Sequence, residues 1–167
     1  MSTEKERKRN VLSLDLSSKS SGWCVAIDKT MVDYGCISCC ARDVIQRIYI
    51  MRDSVIEIIK KYDINEVIIE EVHPDFKNLH TIKVLLWLQA AIVFGITDYN
   101  RNIEINFILP SEWRASLGIK GNSKRSVAKQ QDINHVKEKF GIEVNDDIAD
   151  SICIMDSYLN HPKQIKF

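Results

Sequence analysis

Residues 67–72, Val-Ile-Ile-Glu-Glu-Val, form an almost unbroken apolar run of strand length. Such a run suits a central strand covered on both faces, the setting of a parallel sheet. Two adjacent carboxylates interrupt it. A buried, unpaired carboxylate costs several kcal/mol or takes up a proton, so the strand needs a compensating partner. Side chains alternate along a strand, so Glu70 and Glu71 point to opposite faces. Pattern alone does not say which of them shares a face with other functional groups.

Around this strand the chain punctuates itself clearly. Residues 11–16 read as a short apolar strand, 17–22 as a Ser-rich turn ending in Gly22, 23–27 and 31–38 as two more strands in an antiparallel meander. Apolar residues three or four apart mark a helix over 42–62, and His73-Pro74 ends the strand that follows. Residues 79–97 form a second long helix, apolar nearly all round, which calls for complete burial or a partner on one face. A fifth strand over 103–109 closes at Pro110, residues 113–124 read as a polar connection, and helices follow over 127–140 and 148–158 with Gly141 between them. The expectation is one α/β domain over 10–167 with a five-stranded mixed sheet flanked by helices, after a flexible arm over 1–9.

Composition narrows the function classes little. Lys+Arg and Asp+Glu balance at 23 each, so net charge announces no nucleic-acid partner, and any such surface must come from how the charges are arranged. No apolar run reaches the roughly 20 residues of a membrane span, and the N-terminus lacks the apolar stretch of a secretory signal. A cytoplasmic protein with no membrane partner is expected. The five cysteines fit reduced thiols. Cys36, Cys39 and Cys40 invite a zinc reading, but no second Cys/His pair at ligand spacing follows them.

The other informative carboxylates also keep apolar company. Asp15 lies inside Val11-Leu-Ser-Leu-Asp-Leu16. Asn145 is a candidate N-cap with Asp146 and Asp147 in the first turn behind it. Asp147 and Asp150, three apart, stack on one helix face. Asp146 is sufficiently explained by the helix dipole. Asp150 precedes the apolar run Ile152-Cys-Ile-Met155 and has no obvious basic partner. Asp28, Asp33, Asp43, Asp53 and Asp156 lie near turns or on helix faces and read as structural. Several carboxylates without a strong His/Cys set imply oxygen ligation of Mg²⁺, with Mn²⁺ as a substitute. Two such ions held about 3.5–4 Å apart favour phosphodiester hydrolysis.

Taken together these residues resemble the RuvC family of Holliday junction resolvases, within the ribonuclease H-like superfamily. Leu14-Asp15-Leu16-Ser17-Ser18 through Gly22-Trp23 is similar to the family's first acidic strand and turn. Ile69-Glu70-Glu71-Val72 resembles its second acidic strand, and the match favours Glu70. Asp147-Ile148-Ala149-Asp150 resembles its C-terminal helix. The likeness spans residues 10–158. It implies Asp15, Glu70, Asp147 and Asp150 as catalytic and metal-binding residues, with two ions per site. It also implies a homodimer that nicks two strands of a four-way DNA junction, with much of the interface supplied by helix 79–97 unless the core simply buries that helix. Lys120, Lys124, Arg125 and Lys129 match the place where the family carries basic residues near the cut strand, and Lys137 and Lys139 extend this basic stretch against Asp132 and Glu138. Trp113-Arg114 would brace the loop, with Arg114 reaching a phosphate. Two departures stand out. Where sequence-selective members carry an aromatic after the second acid, this chain has His73 and Pro74, with Phe76 a little beyond as the candidate to stack on bases. Trp87 is bulkier than the bacterial interface pattern. Both fit a divergent branch such as phage or viral members. The competing readings are a RuvC-related nuclease acting on structured RNA and a non-catalytic junction-binding protein.

Overall fold

The computed structural model of the protein describes residues 8–72, 78–120 and 124–161. In chain order its elements are β1 (Asn10–Asp15), β2 (Ser20–Ile27), β3 (Thr30–Ser38), α1 (Val44–Tyr62), β4 (Glu66–Glu70), α2 (Leu79–Tyr99), β5 (Glu104–Ile108), α3 (Pro110–Ser116), α4 (Arg125–Phe140) and α5 (Asp146–Asn160).

The five strands form a mixed sheet in the order β3-β2-β1-β4-β5. The first three are antiparallel, while β4 joins β1 and β5 joins β4 in parallel. Asp28 and Lys29, both with positive φ, make the tight β2–β3 turn, the backbone twist that two-residue hairpins favour. Alternation along the strands builds two cores. Leu12, Leu14, Val25, Val67 and Ile69 face α1 and α2. Val11, Cys24, Ala26 and Ile68 face α5 with its neighbours α3 and α4. The parallel pair β1 and β4 is therefore covered on both sides, as the apolar run at 67–72 requires.

Asp43 caps α1 by accepting from the Gln46 N–H, and Asn78 caps α2 by accepting from Thr81. Upstream of β1 the chain is already tied down: Arg9 makes two hydrogen bonds to Glu66, at 2.6 and 2.9 Å.

Two findings correct the expectations from sequence. Residues 110–116 are helical, because Pro110, read as a stop, occupies the first helical position, where its missing N–H costs nothing and its φ is already set. And α2, at 21 residues, is by length and composition apolar enough to cross a membrane, against the expectation that no segment is. One stripe of it (Val84, Leu88, Ile92, Ile96) is packed in the core, while Leu79, Leu86, Trp87 and Phe94 on its other faces stay exposed.

Candidate active site

Asp15 is the last residue of β1 and Glu70 the last of β4. The parallel register pairs Leu14 with Ile69, which brings the two acids side by side at the carboxyl ends of adjacent strands. Both belong to the face covered by α5. On that face Ser13 Oγ donates to the Ser151 carbonyl at 2.7 Å, and the Tyr158 hydroxyl donates to Glu66 at 2.6 Å. Strand parity thus selects Glu70, two residues from Ile68 and four from Glu66, while the same alternation turns Glu71 to the opposite layer.

The third element is α5, which crosses β2 and β1. Asn145 caps it, its side chain accepting from the Ile148 N–H at 3.0 Å. Its first turn lies directly on Gly22, the residue paired with Asp15 across the β1–β2 ladder. A Cβ at Gly22 would sit 1.8 Å from the Asp147 carbonyl oxygen, so only glycine admits this approach. Asp147 accepts from Ser20 Oγ at 2.5 Å, and the same hydroxyl meets the Cys36 thiol at 2.9 Å. One turn on, Asp150 has a buried Oδ1 with no hydrogen-bond partner among the described residues.

The electrostatics show how tightly these charges are held. Burial, then the charges of Glu70 and Asp147, push the Asp15 carboxyl up to about 8, against a partial offset from Lys129 and Arg114. Burial, then Asp15 and Asp132, push Asp150 up to about 9. Glu70 is also raised, chiefly by burial, with the Trp113 indole N–H at 2.7 Å and Arg114 working the other way. Carboxyls this reluctant to ionise ask for an added positive charge. The donors are all oxygen and include an orphaned buried carboxylate atom, which fits a hard divalent cation. Among the described residues no three Asp, Glu, His or Cys side chains stand around one point at ligating distance.

The basic candidates divide. Lys120, Lys124 and Arg125 are exposed around the start of α4. Lys129 is paired with Asp146, beside the acids, which adds a partner to the dipole reading of Asp146. Lys137 and Lys139 are engaged by Glu143 and Asp156, each at 2.6 Å. Arg114 is held by Asp132 at 2.7 Å. Phe76, His73 and Pro74 lie outside the described residues. Sequence reasoning missed Asp132, Trp113 as the partner of Glu70, and Ser20 as the partner of Asp147. Ser20 was legible in principle, since it shares strand parity with Gly22.

A five-stranded sheet of this order, with acids at the ends of its two parallel middle strands and on the helix laid across them, defines the ribonuclease H-like class of α/β proteins. The family model of the crossover junction endodeoxyribonuclease RuvC matches residues 11–155. The chain belongs to that family. No curated protein matches it. Among solved structures, Thermus thermophilus RuvC in complex with a Holliday junction substrate aligns over 90% of this chain and 92% of its own, at TM-score 0.69 and 13% identity. The fowlpox virus resolvase, in complex with Holliday junction DNA, covers 90% and 96% at TM-score 0.57 and 17% identity. The yeast mitochondrial Holliday junction resolvase covers 90% and 78% at TM-score 0.59 and 16% identity. At these identities the likeness establishes the shared fold.

Proposed function

We propose that the protein is a divalent-metal-dependent endonuclease that resolves four-way DNA junctions by paired nicking as a homodimer. The observation that carries this reading is the gathering of Asp15, Glu70 and Asp150 at one end of the sheet, each with its carboxyl pushed upward by burial. Asp147, in the first turn of α5, completes the set. Membership of the family supplies the substrate class.

Asp15, Glu70, Asp147 and Asp150 would hold Mg²⁺, with Mn²⁺ as a substitute and two ions per site. Bound there, the ions supply a water nucleophile at neutral pH and charge stabilisation for the leaving 3′ oxygen. The protein does the positioning. Strands β1 and β4 fix Asp15 and Glu70 with little backbone freedom, the Trp113 N–H orients Glu70, and Ser20 orients Asp147. Lys120, Lys124, Arg125 and Lys129 would contact phosphates of the bound strands, Arg114 would reach the phosphate at the site, and Phe76 would stack on bases near the crossover. The outward side chains of α2, Phe94 at 68% exposure and Leu79 at 64% above all, would form the dimer seam.

The test is cleavage of labelled four-way junctions, flaps and forks with Mg²⁺ and with a chelator, beside a structured RNA. Paired nicks in junctions that require Mg²⁺ and disappear in Asp15→Asn support the proposal. Junctions left whole while the RNA is cut, or an Asp15→Asn protein as active as the parent, overturn it.

A further inference from the structure

The face of α4 that packs into the core is built from Ala128, Asp132 and Val136, each a turn apart. The middle member is a carboxylate with no exposure at all. Its Oδ2 accepts from Arg114 Nη2 at 2.7 Å. A buried ion pair is often no more stabilising than apolar residues of the same volume, so stability alone is a poor account of a charge between two alanine- and valine-sized neighbours.

Its surroundings say more. Arg114 follows Trp113 on the short helix α3. The Trp113 indole donates to Glu70, and the Arg114 guanidinium lies over the Trp113 ring, 4.5 Å from its centroid. Arg114 feels the charges of Asp132, Asp150 and Glu70 together, and the charge of Asp132 acts on Asp150. Three buried polar atoms in this one spot, Arg114 Nε, Asp132 Oδ1 and Asp150 Oδ1, have no partner among the described residues. A pair selected only to hold helices together would have its hydrogen bonds filled. The Arg114 side chain is also 23% exposed, so part of its fork faces outward. An untied arginine has several rotatable bonds, whereas one held by a carboxylate keeps its planar donors aimed.

We propose that Asp132 is a positioning residue of the nuclease site: it holds the Arg114 guanidinium at the edge of the acidic cluster, where the phosphate to be cut arrives. This rests on the nuclease reading above and adds to it a fifth carboxylate, acting through Arg114.

The test uses the full chain, Mg²⁺ and a labelled four-way junction. Asp132→Asn is expected to lower kcat about 10- to 100-fold, the usual effect of removing a partner that orients a functional group, with junction Kd little changed. In an Arg114→Met background the same change is expected to cost nothing further. A chemical-rescue arm covers the case in which Asp132→Asn alone does not fold. Added guanidinium ion should restore part of the rate to Arg114→Ala and none to the Arg114→Ala, Asp132→Asn double variant, which leaves no unpaired buried charge. Wild-type kcat in Asp132→Asn, losses that multiply with Arg114→Met, or equal rescue of both alanine variants would each overturn the proposal while leaving the nuclease intact. A wild-type protein that cuts no branched DNA removes the nuclease reading itself and this inference with it.

Discussion

Asp15 and Asp150 hold their protons far above the ordinary carboxyl value of 3.8, and the sign of that shift fixes how stability follows pH. A folded-state value above the unfolded one means that the native protein keeps protons the unfolded chain has already lost. Stability without divalent ions therefore falls as pH rises from about 3.8 to about 8 for Asp15 and about 9 for Asp150, and levels off beyond. Asp15→Asn removes a carboxylate whose charge is penalised first by burial and then by Glu70 and Asp147. At alkaline pH in chelator it is expected to melt several degrees above the parent, a gain on the order of 2 kcal/mol. The same variant is expected to lose stabilisation by Mg²⁺ and to cut at least about 1,000-fold more slowly, a loss of roughly 4 kcal/mol of transition-state stabilisation. Thermal melts across pH with and without Mg²⁺, beside cleavage rates, check all three. A melting curve that rises with pH in chelator would contradict the burial argument. Asp15 was legible in the sequence because it interrupts an apolar run, and Asp150 because it precedes one with no obvious basic partner. Asp132 was not: it sits in a helix rich in Lys and Gln, where a carboxylate attracts no notice until its neighbours Ala128 and Val136 are seen to face the core.

At the scale of elements, the site depends on how closely α5 lies on the sheet. The close approach is made at Gly22, opposite Asp15, and a methyl there meets the Asp147 carbonyl at 1.8 Å, a backbone atom that cannot swing aside. Gly22→Ala is therefore expected to lift the first turn of α5. It should cost about 1–3 kcal/mol by overpacking and weaken Mg²⁺ binding more than a loss of stability alone would. Urea denaturation and Mg²⁺ titration by calorimetry separate the two effects. A variant with unchanged Mg²⁺ affinity would show that the close approach matters only for packing. The order of strands and long helices was legible because the apolar period changes plainly from two to about four along the chain. Strand parity was legible too, but its use was not: choosing Glu70 over Glu71 requires knowing which face α5 covers, and that is a fact of tertiary packing. The short helix α3 escaped for a local reason, since seven residues opened by proline carry too little periodicity to register.

For the molecule as a whole, a balanced net charge hides a divided surface. Lys137, Lys139 and Lys129 are engaged by acids within the chain, while Lys120 and Arg125 stand exposed around the start of α4. Replacing Lys120 and Arg125 by Gln is expected to weaken junction binding and to flatten its salt dependence, the logarithmic slope falling by about 0.9 for each phosphate that is no longer neutralised. Titrations at several salt concentrations measure this. An unchanged slope would place the DNA on another face.

The outward face of α2 sets the remaining molecular question, because one stripe of that helix is packed in the core while Leu79, Leu86, Trp87 and Phe94 lie exposed. Phe94, Leu79, Leu86 and Trp87 all stand exposed on that helix, the kind of apolar face that a protein partner covers. In a dimer this face would bury them and place two sites on one junction. Phe94→Glu tests the arrangement without touching the core, since the residue is 68% exposed. The variant should melt close to the parent at low concentration, sediment as a monomer, and nick one strand at a time where the parent makes paired nicks. A Phe94→Glu protein that still sediments as a dimer and still cuts in pairs would show that the apolar face of α2 serves something other than self-association.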